Sequence, residues 1–372
     1  MSPVKPYIGG PFELDFELFA NRPVQRAEDY FGLGRGDVLL QSGRAAFRTV
    51  LRGLNLDGRS ILIPDFLCGD VFVPLLKAEV VQYRFYPVNE DLGIDVERLL
   101  DLADGGADAV LLINYFGLSD YHELARELRS RNESLAIVLD SAQALYDSRR
   151  DAPARAWADY LFVSLRKFLS VPDGAFVVSR APIACNLTRT EDGGGAYYIM
   201  GAGLRHAFLW GAVDPARAAE TEAAYMKFFE KAADCVSTEP QPMSVFSREL
   251  VARLPLDRFA AQRRENYAFL ADALDGIPGL TVLRPRLPET ATPLAMPVRV
   301  ANGSRDALRA HLMKRNIYCP VHWPLIKELE QNAPSRRIRL SASIMSLPVD
   351  QRYTPSDLGR VVEAIQEFEA ER

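Results

Sequence analysis

The chain has 372 residues, 48% of them hydrophobic and 25% charged, a composition typical of a folded protein with room for one large domain and a smaller one. Its 44 basic and 49 acidic residues give a net charge of −5, which provides no general attraction to nucleic acid or to anionic membranes. The N-terminus lacks a signal-peptide pattern and no apolar stretch approaches ~18 residues, so we expect a cytoplasmic protein without a membrane span.

Seven short apolar runs alternate with amphipathic segments between residues 37 and 178. Several runs are continuously apolar, which is typical of strands covered on both faces in a mostly parallel sheet. Helical patterns lie between them, at residues 45–54, 71–78 and 121–130. We therefore predict a doubly wound α/β domain with strands at residues 37–40, 60–64, 80–85, 109–114, 135–140, 160–164 and 174–178.

The alternation stops after about residue 185. Residues 188–195 are predicted to form a mobile loop, and Asp214 followed by Pro215 predicts a helix over residues 215–235. A long helix is predicted over residues 246–274. We place a boundary after residue 249, which gives a large α/β domain of residues 1–249 and a small α+β domain of residues 250–372. Its predicted strands are residues 280–283, 295–300 and 317–321, and its helices are residues 304–315 and 355–370.

The ends of the predicted strands are the places to look for chemistry, because ligands of open parallel sheets bind beyond the carboxyl ends of the strands. After the first strand, Ser42-Gly43-Arg44 opens a helix. Free backbone N–H groups and the positive end of the helix dipole suit a phosphate there. A serine N-cap beside a glycine is also common for purely structural reasons, so this turn is weak evidence on its own.

Two further strand ends carry charged groups. Asp140 ends an apolar strand, where its carboxylate can pair with the protonated ring nitrogen of a cofactor or simply cap the next turn. Lys167 follows the next strand in Ser164-Leu-Arg-Lys, where partial desolvation and Arg166 would favour a nucleophilic amine, although most lysines are solvated surface charges. The S-D-N and K-T-G elements that accompany S-x-x-K in serine acyl-enzymes are absent. The three signals together, in this order within one α/β unit, favour a Schiff-base lysine over the structural explanations.

The cysteines and histidines predict no metal site and no disulfide. Cys68, Cys185, Cys235 and Cys319 are far apart and form neither a CxxC nor a Cys/His cluster, so we expect reduced thiols.

Several motifs resemble those of the DegT/DnrJ/EryC1/StrS family of fold-type-I pyridoxal phosphate (PLP) aminotransferases, and the similarity extends over most of the chain. Ser42-Gly-Arg-Ala-Ala46 is similar to the family's S-G-T-A-A turn, and Asp140-Ser-Ala-Gln143 to its D-x-A-Q signature. The other matching segments are Pro64–Gly69, Asn114-Tyr-Phe-Gly117, Ser164–Lys167 followed by Asp173-Gly174, Tyr318–Trp323 and Ser346-Leu-Pro348.

The resemblance implies roles for these residues. Lys167 would hold PLP as a Schiff base and shuttle the proton between Cα and C4′. Asp140 would pair with the pyridine nitrogen, and Gln143 would lie near the ring. Ser42, Gly43, Arg44 and Ser164 would form the phosphate site, and Cys68 aligns with the position that stacks on the ring. Tyr115, His322 and Trp323 are candidates for contacting the substrate.

The chain departs from the family pattern in three places. Cys68 replaces the usual aromatic stacking residue, for which Phe66 and Phe72 are alternatives. The spacing from Ser164 to Lys167 is two residues shorter than usual, and the family's R-N-H-G loop is not recognisable in residues 186–198. These departures indicate a divergent member.

We also consider Tyr197, Tyr198 and Arg205 as part of a substrate lid.

The resemblance implies transfer of an amino group from glutamate or glutamine to a keto-sugar, which we expect to be nucleotide-linked. The alternatives are amination of a non-sugar ketone, a different PLP-dependent reaction at Cα, and a non-catalytic regulatory protein with a PLP fold. A homodimer is expected, because fold-type-I sites are usually built between subunits.

Overall fold

The computed structural model describes residues 7–149, 151–183, 185, 187–188, 193–325 and 334–371. The strands are β1 (Ile8–Gly9), β2 (Val38–Leu40), β3 (Ser60–Pro64), β4 (Gln82–Tyr86), β5 (Ala109–Ile113), β6 (Ala136–Asp140), β7 (Tyr160–Ser164), β8 (Ala175–Ser179), β9 (Leu280–Val282), β10 (Ala295–Val300), β11 (Ile317–Tyr318) and β12 (Ile344–Pro348). The helices are α1 (Ala27–Phe31), α2 (Gly43–Leu54), α3 (Gly69–Ala78), α4 (Val96–Asp104), α5 (His122–Arg131), α6 (Gly194–Leu209), α7 (Ala218–Asp234), α8 (Val245–Val251), α9 (Leu256–Ala273), α10 (Arg305–Met313), α11 (Ser335–Ser343) and α12 (Pro355–Ala370).

A seven-stranded sheet in the order β2-β8-β7-β6-β5-β3-β4 forms the centre of the α/β region. β4, β3, β5, β6 and β7 run parallel, and β8 is antiparallel to both β7 and β2. β5 is buried along its whole length and β6 along all but its first residue, because both lie inside the sheet with helices packed around them. The predicted mostly parallel sheet is therefore confirmed, with strand bounds shifted by at most two residues.

Local sequence explains where the first long helix begins and ends. The Ser42 hydroxyl accepts a hydrogen bond from the Ala45 N–H at 3.2 Å and so caps α2. The buried face of α2 includes Ala46, Phe47 and Val50. Asn55 ends the helix in the left-handed conformation with φ of 48°. The N-terminus of α2 lies beside the end of β7.

The structure corrects the prediction for residues 188–195. Gly194 and Gly195 are not loop but the first turn of α6, while residues 189–192 lie outside the described residues. α6 packs along α7, and a Cβ at Gly201 would lie 3.2 Å from the Phe228 Cβ, so glycine allows this close approach. α6 was not predicted, because its glycines have low helix propensity and its apolar residues lie on all sides.

The predicted helix over residues 246–274 is two helices, α8 and α9. Pro255 lies at the start of α9 and has no N–H to continue a preceding helix, so the chain breaks before it. The predicted helix over residues 215–235 begins as a short 3-10 turn, in which the Asp214 carboxylate accepts from the Ala216 N–H at 2.9 Å, and continues as α7.

A second sheet, in the order β12-β10-β9, is antiparallel and lies in the C-terminal region with α10 and α12. β1 pairs in parallel with β11, so residues near the N-terminus contact the C-terminal region. The division after residue 249 stays a prediction. Among the described helices, none is long and apolar enough to cross a membrane.

Candidate active site

A cavity of about 630 Å³ lies at the carboxyl ends of β5, β6 and β7. The sheet order makes β6 and β7 neighbours, which brings Asp140 and Ser164 to the same edge. All predicted site residues except Tyr115 line this cavity: Ser42, Gly43, Arg44, Cys68, Asp140, Gln143, Ser164, Lys167, His322 and Trp323. The fold thus gathers residues that are up to 281 positions apart in the chain.

The N-terminus of α2 forms one wall of the cavity. A Cβ at Gly43 would lie 3.2 Å from the Ser164 Cβ, so glycine lets the helix start approach the end of β7 closely. Arg44 lines the cavity from the first turn of α2 and forms no hydrogen bond or ion pair with the residues that the structure describes. Free backbone N–H groups, a hydroxyl and an unpaired guanidinium are groups that can bind an anion.

Asp140 occupies the end of β6 and is only 5% exposed. Its Oδ1 accepts a hydrogen bond from the Ala142 N–H at 2.8 Å, so the residue also caps the next turn. Burial raises the pKa of Asp140 to about 6, and the nearby Lys167 ammonium partly opposes this. The Oδ2 atom forms no hydrogen bond within the described part of the chain, so it is available to a ligand in the cavity.

Gln143 is held in one orientation by the backbone. Its Oε1 accepts a hydrogen bond from the Phe116 N–H at 2.9 Å, which fixes which end of the amide is the donor. The Nε2 atom is buried and has no partner among the described residues, although Gln143 lines the cavity. A buried donor without a partner is uncommon, and an acceptor on a bound ligand would satisfy it.

Lys167 ends a short 3-10 turn, Leu165–Lys167, that follows β7 directly. Leu165 is fully buried and anchors the turn, whereas Lys167 is exposed and lines the cavity. The ammonium contacts no carboxylate among the described residues, so Nζ is not held in an ion pair. Asp140, Lys167 and His322 line the same cavity, and the charge of Lys167 lowers the pKa of each of the other two groups.

His322 and Trp323 reach the cavity from the C-terminal region. The Nδ1 atom of His322 lies 2.9 Å from the hydroxyl of Ser346, a fully buried residue of β12. Burial and, to a lesser extent, the charge of Lys167 lower the pKa of His322 to about 4, so the imidazole is neutral at pH 7. The Trp323 ring lies 5.5 Å from that of Phe66, centroid to centroid.

Tyr115 is buried and does not line the cavity. Its hydroxyl donates a hydrogen bond to the Phe66 carbonyl, and its ring lies 6.0 Å from the Trp323 ring. The structure therefore places it behind Trp323 and does not bring it to the cavity with the other predicted residues.

Cys68 lines the cavity at the start of α3. Burial raises the pKa of its thiol, an effect that Lys167 partly opposes. Of the two alternative stacking residues, Phe72 also lines the cavity, whereas Phe66 does not line it and packs against Trp323.

Several cavity residues were not predicted as site residues, among them Phe12, Arg166, Tyr198 and Phe229. The sequence gives Arg166 a role only through its charge beside Lys167, and Tyr198 only as part of a lid, whereas the structure places both side chains at the cavity. Phe12 and Phe229 carry no local signal, because only the tertiary fold brings them to the cavity. Arg205, the other lid candidate, is buried and donates to the Gly9 carbonyl at 3.1 Å.

Solved structures with the same fold cover almost the whole chain. DesV from S. venezuelae has a TM-score of 0.65 and 20% identity, covering 97% of this chain and 91% of that one. The sugar aminotransferase CalS13 from Micromonospora echinospora has a TM-score of 0.64 and 16% identity, covering 99% and 100%. Spr1654 from Streptococcus pneumoniae, in its PLP form, has a TM-score of 0.68 and 13% identity, covering 98% and 99%. At these identities the likeness establishes the fold, which is that of PLP-type aminotransferases.

The sequence match is more specific than the fold. Residues 250–366 match the sequence model of the DegT/DnrJ/EryC1/StrS aminotransferase family. No curated protein matches the chain. The predicted resemblance to this family is confirmed for residues 250–366, and the matched family is one of aminotransferases, which agrees with the predicted enzyme class.

Proposed function

We propose that the protein is a PLP-dependent aminotransferase that moves an amino group from glutamate or glutamine to a keto-sugar, which we expect to be nucleotide-linked. The observation that carries this proposal is the placement of the Lys167 amine and the Asp140 carboxylate in one cavity, at the ends of adjacent parallel strands. A lysine amine beside a buried carboxylate is the pair that PLP chemistry requires.

The cavity residues fit the cofactor. PLP needs an anion site, a carboxylate for its ring nitrogen, a hydrogen-bond donor for its ring oxygen and an amine for its aldehyde. Gly43, Arg44 and Ser164 would supply the anion site, and Asp140 the carboxylate for the ring nitrogen. The unpartnered Nε2 of Gln143 would donate to the ring oxygen, and Lys167 would supply the amine for the aldehyde. When bound, PLP provides the electron sink that stabilises negative charge at Cα of the amino donor.

Lys167 and Asp140 then have separate tasks. Lys167 Nζ would take the proton from Cα of the donor and deliver it to C4′ of the cofactor, a general acid–base role. Asp140, which is buried and has a pKa of about 6, would pair with the ring nitrogen and hold a proton on it. The neutral His322, held by Ser346, lines the same cavity as Lys167 and would offer a hydrogen-bonding group to the substrate.

The choice of a keto-sugar rests on the family and on the structural neighbours, of which CalS13 is a sugar aminotransferase. Tyr115 enters this proposal only through its support of Trp323. We further propose a homodimer in the cytoplasm, with a large domain of residues 1–249 and a small domain of residues 250–372.

The experiment is to load the purified protein with PLP, remove the excess, add glutamate or glutamine, and quantify pyridoxamine phosphate. We expect stoichiometric conversion by one of these donors, loss of conversion in Lys167→Ala, and normal conversion in Lys77→Ala, which alters an exposed lysine at the end of α3. A protein that takes up no PLP would refute the proposal. Uptake without conversion would instead support a different reaction at Cα or a regulatory role.

A further inference from the structure

The cavity contains two guanidinium groups. Arg44 and Arg166 both line it, and neither forms a hydrogen bond or ion pair with any residue that the structure describes. Asp140 is the only carboxylate among the described lining residues. Because a half-buried guanidinium without a counter-ion is costly, two of them in one cavity indicate that the ligands bring more than one anionic group.

The two arginines occupy different parts of the cavity. Arg44 lies in the first turn of α2, next to Gly43, whose backbone meets Ser164. Arg166 lies in the turn after β7, and its guanidinium carbon is 5.2 Å from the ring centre of Tyr198 on α6. Tyr198 is 5% exposed, so this aromatic face is fixed in position.

The contact with Tyr198 orients the Arg166 side chain. A guanidinium held against an aromatic face keeps the N–H groups on its edge free to donate. Such an edge matches the two oxygens of a carboxylate or phosphate and can bind them through two parallel hydrogen bonds. Arg166 is therefore prepared for a planar pair of acceptors, and the described residues provide none.

The cofactor alone does not account for Arg166. Under the proposed function, Lys167 is used by the cofactor aldehyde, Asp140 by its ring nitrogen, and the α2 N-terminus with Arg44 and Ser164 by its phosphate. Arg166 then remains as an unpaired cation beside the reacting amine. Resting on the proposed function, we propose that Arg166 is a specificity-determining residue that binds an anionic group of the substrate, either a carboxylate of the amino donor or a phosphate of the acceptor.

The test uses the PLP-loaded protein and two unreactive anions, succinate and inorganic phosphate, as competitors of donor-driven pyridoxamine phosphate formation. Four proteins are compared: the unaltered protein, Arg166→Gln, Arg44→Gln and Arg98→Gln, which removes an exposed arginine of α4 outside the cavity. PLP affinity is measured separately by equilibrium titration. Binding of PLP by the unaltered protein is checked first, so failure of the proposed function appears before any variant is compared.

We expect Arg166→Gln to weaken inhibition by one of the anions about tenfold or more, as is typical when a charge-assisted hydrogen bond is lost. Loss of succinate inhibition would identify the donor carboxylate, and loss of phosphate inhibition would identify the acceptor phosphate. PLP affinity should fall in Arg44→Gln but stay within about twofold in Arg166→Gln, since we assign only Arg44 to the cofactor phosphate.

Three results would overturn the proposal. The first is an unaltered protein that neither anion inhibits. The second is unchanged inhibition in Arg166→Gln relative to Arg98→Gln. The third is a loss of PLP affinity in Arg166→Gln as large as that in Arg44→Gln, which would assign Arg166 to the cofactor.

Discussion

Replacement of Asp140 by asparagine is expected to stabilise the cofactor-free protein at pH 8. The side chain is 5% exposed, and burial raises the pKa of its carboxyl group from an ordinary value of 3.8 to about 6. Ionisation is therefore disfavoured in the folded state. The protonated carboxyl group of Asp140 therefore contributes stability that is fully present below about pH 3.8 and is lost as the pH rises through about 6.

The size of the effect follows from the two pKa values. A shift from 3.8 to about 6 corresponds to a cost of about 3 kcal/mol at pH 8, and the same linkage gives about half that cost at pH 5. Asparagine has nearly the same shape and can still accept from the Ala142 N–H at 2.8 Å, so the local turn is retained. The free energy of unfolding of Asp140→Asn should thus exceed that of the unaltered protein, by more at pH 8 than at pH 5.

Urea unfolding of the cofactor-free protein at both pH values measures this difference. Asp101→Asn, which changes a 71% exposed carboxylate on α4, provides the control and should show little change at either pH. With PLP present, the unaltered protein should be more stable than Asp140→Asn, because asparagine cannot form an ion pair with a protonated ring nitrogen. An Asp140→Asn protein that is no more stable than the unaltered one at pH 8, or whose advantage is equal at both pH values, would refute the reasoning.

Three further predictions concern the supports of the site. Gly43→Ala places a methyl group 3.2 Å from the Ser164 Cβ and should weaken PLP binding about tenfold, while equilibrium titration with pyridoxal, which lacks the phosphate, should show unchanged affinity. Ser346→Ala removes the hydrogen bond to His322 and should lower the free energy of unfolding in urea by about 1–2 kcal/mol. Ser346→Thr keeps the hydroxyl and should lower it by less. Arg263→Met should destabilise by about 3 kcal/mol in the same assay, because the Pro293 and Leu294 carbonyls lose the Arg263 donor, whereas the Phe168 carbonyl keeps its hydrogen bond from Gln351.

The sequence predicted the sheet and the relation between Lys167 and Asp140 for a physical reason. Strands buried on both faces must be continuously apolar, so their ends are visible in the sequence, and parallel strands bring those ends to one edge. That reasoning does not depend on side-chain detail. It places both residues at the cavity before any contact is known.

The features that were missed depend on tertiary contacts. α6 is stable because Gly201 lets it approach α7, which its helix propensity does not reveal. The donor orientation of Gln143 depends on the Phe116 N–H, and the orientation of Arg166 depends on Tyr198. Each of these partners is far away in sequence from the residue that it fixes, so no local pattern signals the pairing.

The most direct test of the central claim is to locate the covalent attachment of the cofactor. The protein is incubated with PLP, reduced with borohydride, digested, and analysed by mass spectrometry for a phosphopyridoxyl-modified lysine. We predict one stoichiometric modification at Lys167 and none at this level in Lys167→Ala. Stoichiometric modification at another lysine, or none at all, would contradict the assignment of Lys167 as the cofactor lysine.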